Sequence, residues 1–194
     1  DEPLVAIDGL DGLIGLVQSA ALEIHPWQSS LADLEHPDQI VMDLDPGEGV
    51  EWPTLVAGAH AVRERLKAVG LASFVKTTGG KGLHVVAPLA PDAGWDAVHD
   101  FARDMAEAMA AEQPEEYVAT VSKAKRSGKI LVDYLRNGRN QTAIAPYATR
   151  ARPGAPVAMP LSWDDLGKSR VAFAVADAPR HVATTADPWA DFRK

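Results

Sequence analysis

The sequence predicts an α/β fold in which mixed, mainly antiparallel sheets are flanked by helices. Two long segments, beginning at Trp52 and Trp95, carry apolar residues at the 3.6-residue spacing of amphipathic helices. Two shorter segments, 39–45 and 129–135, have the apolar, β-branched composition of strands. A glycine-rich connection at 78–82 joins two further strand-like segments, which indicates a hairpin and therefore antiparallel pairing.

The composition limits the class of protein. With 194 residues, of which 46% are hydrophobic, the chain can form the core of one domain, which we place at 1–194. The formal net charge of -8 argues against nucleic-acid binding through a general positive field. The lack of cysteine excludes disulfides and thiolate metal ligands. No segment is typical of a membrane span or a leader peptide, so we expect a soluble, cytoplasmic protein with no membrane partner.

The N-terminal part contains three predicted elements before the first long strand. Residues 5–7 have the composition of the end of a strand whose beginning is absent, so we expect an N-terminally incomplete domain. Asp11 is placed to cap a helix that runs to Ala20 with helical apolar spacing. A short strand at 22–24 ends before Pro26, and the strand 39–45 stops at a proline and a glycine.

The later elements follow from the same patterns. The helix that begins at Trp52 stops at Gly70, because glycine commonly follows a helix C-terminus. The other predicted elements are strands at 73–77, 83–87, 129–135 and near 142–145, a helix at 95–111 and a short segment at 163–167. Residues 168–194 are predicted to be a loop-like C-terminal tail.

Three acidic residues are candidates for metal binding. Asp43 and Asp45 are two residues apart in a strand, so both carboxylates lie on one face. Asp133 lies within an otherwise apolar strand, where an unpaired carboxylate would be costly to bury. Carboxylates of this kind hold Mg²⁺ or Mn²⁺, and two such ions can assist phosphoryl displacement. The alternative for Asp43 and Asp45 alone is a solvated strand end.

The glycine-rich loop is a candidate phosphate-binding element. Gly80 and its neighbouring glycines leave backbone N–H groups unobstructed, while Thr78, Lys81 and His84 add a hydroxyl, a cation and an imidazole. A tight turn with an exposed lysine is the alternative, and His84 could equally be a core histidine. His25, which lies beside a proline, carries the same ambiguity.

The positive charge of this acidic protein is concentrated in one stretch. Between 123 and 152, eight lysine and arginine residues stand against one acid, Asp133. Lys125 and Arg126 precede the strand that contains this acid, and Arg150 and Arg152 follow the next predicted strand. Solvated surface charges are the ordinary explanation, but convergence near the acids would form a phosphate-binding rim.

Several motifs in order resemble the polymerase domain of bacterial end-joining DNA ligase D, a member of the archaeo-eukaryotic primase superfamily. The resemblance covers about 4–166. The motifs are HPW at 25–27, VMDLDPG at 41–47, VKTTGGKGLH at 75–84, SKAKR at 122–126 and VDYLRN at 132–137. The order of these motifs makes the resemblance more specific than any single one, and it implies a primase-polymerase-like catalytic core.

The resemblance implies a function and roles for residues. Asp43, Asp45 and Asp133 would be catalytic metal ligands for two Mn²⁺ or Mg²⁺ ions. The nucleotide-binding residues would be His25, Thr78, Gly80, Lys81, His84, Arg126 and Arg150. The implied reaction is template-dependent addition of an NTP or dNTP to a primer 3′-hydroxyl, filling gaps at broken DNA ends.

The resemblance also implies partners and two departures from the family pattern. The implied partners are gapped primer–template DNA or DNA ends, ligase and nuclease domains in a parent chain, and an end-binding protein. Family members usually have serine at the position of Thr78, which preserves the hydroxyl. The family domain is longer at its N-terminus, and the longer part helps to form the nucleotide pocket and a 5′-phosphate site.

Two other functions are compatible with parts of the sequence. An aspartate-nucleophile phosphohydrolase would use Asp43 and Asp45 after an apolar strand, but it requires alternating strands and helices in a parallel sheet. A non-catalytic module that binds DNA ends or nucleotides would retain the acids for structure. The complete set of three acids favours the catalytic alternative.

Overall fold

The computed structural model describes residues 5–167 and 172–193. In chain order the elements are α1 Leu10–Gln18, β1 Gln39–Pro46, α2 Trp52–Ala68, β2 Phe74–Thr77, β3 Leu83–Pro88, α3 Trp95–Glu112, β4 Tyr117–Val118, β5 Ile130–Asp133, β6 Pro160–Leu161, α4 Trp163–Leu166 and α5 Ala178–Thr184. Short 3₁₀ turns at Lys123–Lys125 and Leu135–Asn137 flank β5. None of the helices in these ranges combines the length and apolar content that crossing a membrane requires.

The strands form one six-stranded sheet with the order β4-β5-β1-β3-β2-β6. Every pairing is antiparallel except that of β4 with β5. The predicted mixed, mainly antiparallel sheet with flanking helices is therefore confirmed. A parallel sheet of alternating strands and helices is wrong for this chain, which removes the phosphohydrolase alternative.

The two faces of the sheet have different coverings. Helices α2 and α3 pack on one face, where alternate residues of β1, namely Ile40, Met42 and Leu44, join the main apolar core. Because side chains alternate along a strand, Val41, Asp43 and Asp45 belong to the opposite face. That opposite face is partly apolar and partly polar, and it contains the candidate site.

Several short predicted elements differ from those in the structure. Residues 5–7 are not in a strand, and α1 begins at Leu10 after Gly9, without a side-chain cap from Asp11. The predicted strands 22–24 and 142–145 are also absent as strands. Two backbone hydrogen bonds do join these segments, from Ala143 N to Pro26 O and from Ala145 N to Ile24 O. Pro26 and Pro146 lack N–H donors, so a longer hydrogen-bond ladder cannot form between the two segments.

The C-terminal segment is not a loop-like tail where the structure describes it. It contains α5, and after this helix Trp189 and Phe192 pack on the second face of the sheet against Val41 and Val86. The indole N–H of Trp189 donates to Val75 O at 3.1 Å. Residues 168–171 and 194 of the predicted tail lie outside the described residues. The prediction failed because two aromatic residues are too few to reveal long-range packing in a sequence pattern.

We expect Trp189→Ala to destabilise the fold by about 3 kcal/mol, because it removes a nearly buried aromatic ring and its hydrogen bond. Trp189 is 9% exposed, whereas Val182 on α5 is 48% exposed. Val182→Ala is therefore the control and should change the free energy of unfolding by less than about 0.5 kcal/mol. Urea unfolding monitored by circular dichroism measures both. Equal, small effects would show that the C-terminal segment does not stabilise the sheet.

Candidate active site

Cross-strand pairing places four polar side chains in one row on the second face of the sheet. Asp43 of β1 lies opposite both Asp133 of β5 and His84 of β3, and His84 lies opposite Lys76 of β2. Directly paired residues share a face and have neighbouring Cβ atoms. All four side chains are buried. Asp45 is two residues beyond Asp43 and therefore extends this face toward the strand end.

The carboxylate of Asp43 contacts two basic side chains. His84 Nε2 lies 3.3 Å from Asp43 Oδ2, and Arg136 Nε donates to the same oxygen at 3.2 Å. Burial by itself would raise the pKa of Asp43, but these contacts outweigh burial and lower that pKa. Burial, assisted by Lys76, lowers the pKa of His84. Because a carboxylate oxygen only accepts hydrogen bonds, we assign the Nε2–H of His84 to its contact with Asp43.

The other two acids are less well compensated. Burial, and then the charges of Asp43 and Asp133, raise the pKa of Asp45 from its ordinary 3.8 to about 6. Burial likewise raises the pKa of Asp133, which accepts a hydrogen bond from Leu135 N at 2.9 Å. Two neighbouring carboxylates with raised pKa values are what an incompletely neutralised acid cluster produces.

The acids fit a divalent cation chemically but are not arranged as a finished coordination shell. Asp43 Oδ1 is buried and has no hydrogen-bond partner among the described residues, so it is available to a ligand. Within 5–167 and 172–193, however, no three acidic, imidazole or thiol side chains converge as metal ligands. Arg136 provides one reason, because its Nε lies 3.2 Å from Asp43 Oδ2 and 3.7 Å from Asp133 Oδ2. The guanidinium thus takes the place of a cation between two of the acids.

The glycine-rich loop is packed against the end of β1. A Cβ atom at Gly82 would lie 2.6 Å from Leu44 O, so any larger residue would push the loop away from the strand. The hydroxyl of Thr78 donates to Gly82 O at 3.2 Å and accepts from Gly80 N at 3.3 Å. Thr78 therefore fixes the loop from within, beside Asp45.

A glutamate that the sequence analysis did not single out joins two predicted nucleotide-binding residues. Glu23 contacts His25 Nε2 at 2.8 Å and Arg150 Nε at 3.1 Å, and it accepts from Ala151 N at 2.8 Å. The contact with His25, followed by the backbone hydrogen bond, lowers the pKa of Glu23 to about 2. Arg150 also donates to Thr78 O at 2.9 Å, which links this cluster to the glycine-rich loop.

An open cleft of about 400 Å³ lies over the acids. Its lining contains every predicted site residue except Asp133, namely His25, Asp43, Asp45, Thr78, Gly80, Lys81, His84, Arg126 and Arg150. Lys81 is exposed at the loop tip, and Arg126 passes close to Gly47, where a Cβ atom would be 1.8 Å from Arg126 O. The structure thus brings these predicted residues together in one cleft.

Arg136, Glu23 and Asn137 belong to this arrangement without having been predicted as site residues. Arg136 and Arg152 line the cleft; both lie in the basic stretch, and Arg152 was expected to contribute to its rim. Asn137 is buried, accepts from Val41 N at 2.7 Å and donates to Val41 O at 2.8 Å. This pair of bonds holds Arg136 near β1. Glu23 gave no signal, because an isolated glutamate in a short segment has no distinguishing pattern.

The fold and the cleft define a class: an α/β protein in which a mainly antiparallel sheet presents acids beneath a glycine-rich loop and a basic rim. Comparison with known proteins makes the class specific. The sequence model of the LigD primase-polymerase domain matches residues 1–189. The chain belongs to this family, and the resemblance inferred from the sequence is confirmed.

Individual relatives agree with the family assignment. The multifunctional non-homologous end joining protein LigD of Pseudomonas aeruginosa is 39% identical over 194 residues, covering 98% of this chain and 23% of that protein. The bifunctional LigD protein of Bacillus subtilis is 30% identical over 167 residues, covering 85% and 27%. The chain therefore spans about a quarter of the length of these relatives.

A solved structure has the same fold. The polymerase domain of Mycobacterium tuberculosis ligase D, solved in complex with DNA, superposes with a TM-score of 0.89 at 32% identity. The match covers 96% of this chain and 68% of that one. The predicted primase-polymerase-like core is therefore confirmed.

We expect Asp45→Asn to stabilise the protein above about pH 6. Because the folded-state pKa is raised to about 6 from 3.8, the folded protein binds the proton more tightly, and the ionised carboxylate costs stability above pH 6. This cost diminishes as the pH falls and is absent below about pH 4. Partial exposure reduces the gain from the substitution to about 1–2 kcal/mol near pH 8. Urea unfolding at several pH values tests this, and a pH-independent effect would contradict it.

We expect Arg136→Gln to bind Mn²⁺ several-fold more tightly than the parent protein, because the guanidinium competes for Asp43 and Asp133. The same change should lower metal-free stability by about 1 kcal/mol, since the contact with Asp43 is partly buried. Arg103→Gln on α3 is the control, because Arg103 pairs with Asp100 and Asp104 instead. Titration of Mn²⁺ by electron paramagnetic resonance measures affinity. Unchanged or weaker binding in Arg136→Gln would show that the arginine does not compete.

Proposed function

We propose that this chain is a nucleotidyltransferase that adds an NTP or dNTP to the 3′-hydroxyl of a DNA primer. The proposed role is template-dependent gap filling during bacterial double-strand-break end joining, with two Mn²⁺ or Mg²⁺ ions. The relatives are named as non-homologous end joining proteins, and the solved neighbour was a polymerase domain bound to DNA. The cytoplasmic, nucleoid-associated location stays a prediction.

One observation carries the proposal: a single cleft contains two acids of the sheet, the glycine-rich loop and several basic side chains. The protein has a formal net charge of -8, yet the cleft lining includes Lys81, Arg126, Arg136, Arg150 and Arg152. Positive groups beside carboxylates suit a ligand that carries both phosphates and divalent cations. A nucleoside triphosphate with its metal ions is such a ligand.

The residues of the chain divide the work of binding and orientation. Exposed Lys81 and the arginines of the cleft would neutralise the phosphates, as charge-assisted hydrogen bonds do. Glu23 contacts both His25 and Arg150, so these two side chains are in position before a nucleotide binds. Asp43, Asp45 and Asp133 would hold the divalent ions. When bound, such ions supply a template for the phosphates and neutralise charge that develops on the attacking and leaving oxygens.

The proposed roles differ in how directly the side chains can reach a nucleotide. The Thr78 hydroxyl already has two partners within the loop, so we assign it to shaping the loop, and Gly80 N–H to the same turn. His84 is 3% exposed and lies against Asp43. We therefore propose that His84 acts mainly by orienting this carboxylate. Only the exposed edge of its ring would contact the nucleotide.

The DNA and the protein partners belong to the same proposal. A gapped primer–template or a DNA end would approach along the basic stretch that carries Arg126 and Arg152. The relatives are several times longer than the segment matched here, which supports ligase and nuclease domains in a parent chain. An end-binding protein would bring the DNA ends together.

A non-catalytic nucleotide-binding or DNA-end-binding remnant is the second candidate. The observation in its favour is the contact of Arg136 with two of the acids, which gives those carboxylates a partner within the chain. In such a protein the acids would serve to hold the arginine and the cleft. The two candidates differ in whether metal-dependent extension of a primer occurs.

We expect Asp43→Asn to reduce Mn²⁺-dependent primer extension by at least about a hundredfold, because metal assistance to phosphoryl transfer contributes several kcal/mol. The substitution keeps the size of the side chain and removes its charge. Extension of a gapped DNA primer with a labelled nucleotide, measured over a Mn²⁺ titration, tests this. Asp100→Asn is the control, since Asp100 is an exposed acid of α3.

The outcomes of this experiment separate the candidates. Extension by the parent protein and by Asp100→Asn, lost in Asp43→Asn, supports the nucleotidyltransferase. Metal-dependent nucleotide binding without extension supports the non-catalytic candidate. Equal extension by Asp43→Asn and the parent protein would remove Asp43 from the catalytic set.

A further inference from the structure

A small cavity adjoins the open cleft and shares His84, Ala143 and Ile144 with the lining of the cleft. Its volume is about 30 Å³, and its lining includes Gln28, Lys76, His84 and Trp189. Gln28, Lys76 and His84 are 1%, 2% and 3% exposed. Three polar residues therefore meet inside the protein at a space large enough for one water molecule.

Each of these three residues has an unsatisfied polar atom. Gln28 Nε2, Lys76 Nζ and His84 Nδ1 are buried and have no hydrogen-bond partner among the described residues. The other end of the Gln28 amide is engaged, because Gln28 Oε1 accepts from Gln39 Nε2 at 2.7 Å. Buried polar groups without partners are costly, and native proteins usually satisfy them with ordered water.

The chemistry of the three atoms decides what the cavity can hold. Gln28 Nε2 and Lys76 Nζ are donors. The ring hydrogen of His84 lies on Nε2, which faces the accepting carboxylate of Asp43. Nδ1 shares the cavity with two donors and is therefore assigned as the acceptor. A ligand that accepts two hydrogen bonds and donates one satisfies all three atoms, and water does this. A halide ion would satisfy the donors but would repel the lone pair of His84 Nδ1.

We propose that this cavity binds one internal water molecule, through which Lys76 and Gln28 orient His84 and thereby position the carboxylate of Asp43. Lys76 and Gln28 are then positioning residues that do not line the cleft themselves. The pairing of β2 with β3 supports this arrangement, because Lys76 lies directly opposite His84. The binding of the water does not depend on the proposed metal role of Asp43. Only the effect of Lys76 and Gln28 on function rests on that role.

The arrangement explains why a lysine is buried here without an acid of its own. Burial lowers the pKa of Lys76 to about 7, and both the ammonium and the neutral amine can donate to water. The lysine therefore donates a hydrogen bond to the proposed water in either charge state. Trp189 lines the same cavity, so the C-terminal segment helps to enclose the water on the side opposite the helices.

The first test is a high-resolution crystal structure of the protein as it stands. We expect one density peak within about 2.7–3.2 Å of Gln28 Nε2, Lys76 Nζ and His84 Nδ1. A direct hydrogen bond between Lys76 and His84, or a cavity without density, would overturn the proposal. This test does not depend on metal binding or on catalysis.

The second test measures Mn²⁺ affinity in a double-mutant cycle of Lys76→Met and Gln28→Leu. If both residues act through one water, each single change weakens binding by roughly tenfold, as loss of an outer-shell partner does. The double change should then add little to the larger single effect. Lys67→Met on α2 is the control, since its side chain is 76% exposed.

Opposite outcomes are expected if Lys76 acts only through its positive charge. Removal of a nearby cation would then strengthen Mn²⁺ binding, and the effect of Gln28→Leu would be additive with it. Either result would overturn the proposal that Lys76 and Gln28 act through one water molecule. If the parent protein binds no Mn²⁺, the proposed metal role of Asp43 fails, while the crystal structure still decides whether the water relay exists.

Discussion

The antiparallel register of β5, β1 and β3 is the constraint on which the rest of the site depends. It places Asp133, Asp43 and His84 directly opposite one another, so three strands that are distant in sequence contribute to one row. A shift of one residue would turn these side chains into the apolar core under the helices. The register is therefore fixed by the burial of Ile40, Met42 and Leu44 on the face under the helices. Along β1 these residues alternate with Val41, Asp43 and Asp45, which lie on the opposite face.

The same row creates an electrostatic conflict that the surrounding residues reduce only in part. His84 and Arg136 satisfy one oxygen of Asp43, while Asp45 and Asp133 retain raised pKa values. Arg136 reaches both Asp43 and Asp133, and Asn137 fixes the turn that carries it. Under the proposed function, this uncompensated negative charge would attract the divalent cations, which full internal compensation would not do. We interpret the strain on the acids as the cost of a functional cleft.

The sequence predicted the regular elements well where a long pattern supported them. The helices α2 and α3, the strand β1 and the hairpin of β2 and β3 follow from apolar spacing and glycine placement. It failed where pairing depends on distant residues. The segments 22–24 and 142–145 contact each other but cannot form a ladder past Pro26 and Pro146. The C-terminal segment folds against the sheet through Trp189 and Phe192, whose partners lie far away in the chain.

The sequence by itself determined the family, the acids, the loop and the basic stretch, because motifs in order preserve chemistry that needs particular residue types. It also determined that Asp43 and Asp45 share a face, since the strand period is local. Only the tertiary structure decided that Asp133 lies beside Asp43, that Glu23 joins His25 to Arg150, and that Arg136 reaches the acids. The physical reason is that the cross-strand pairs and side-chain contacts of this site join residues up to 128 positions apart, and no local pattern records such distances.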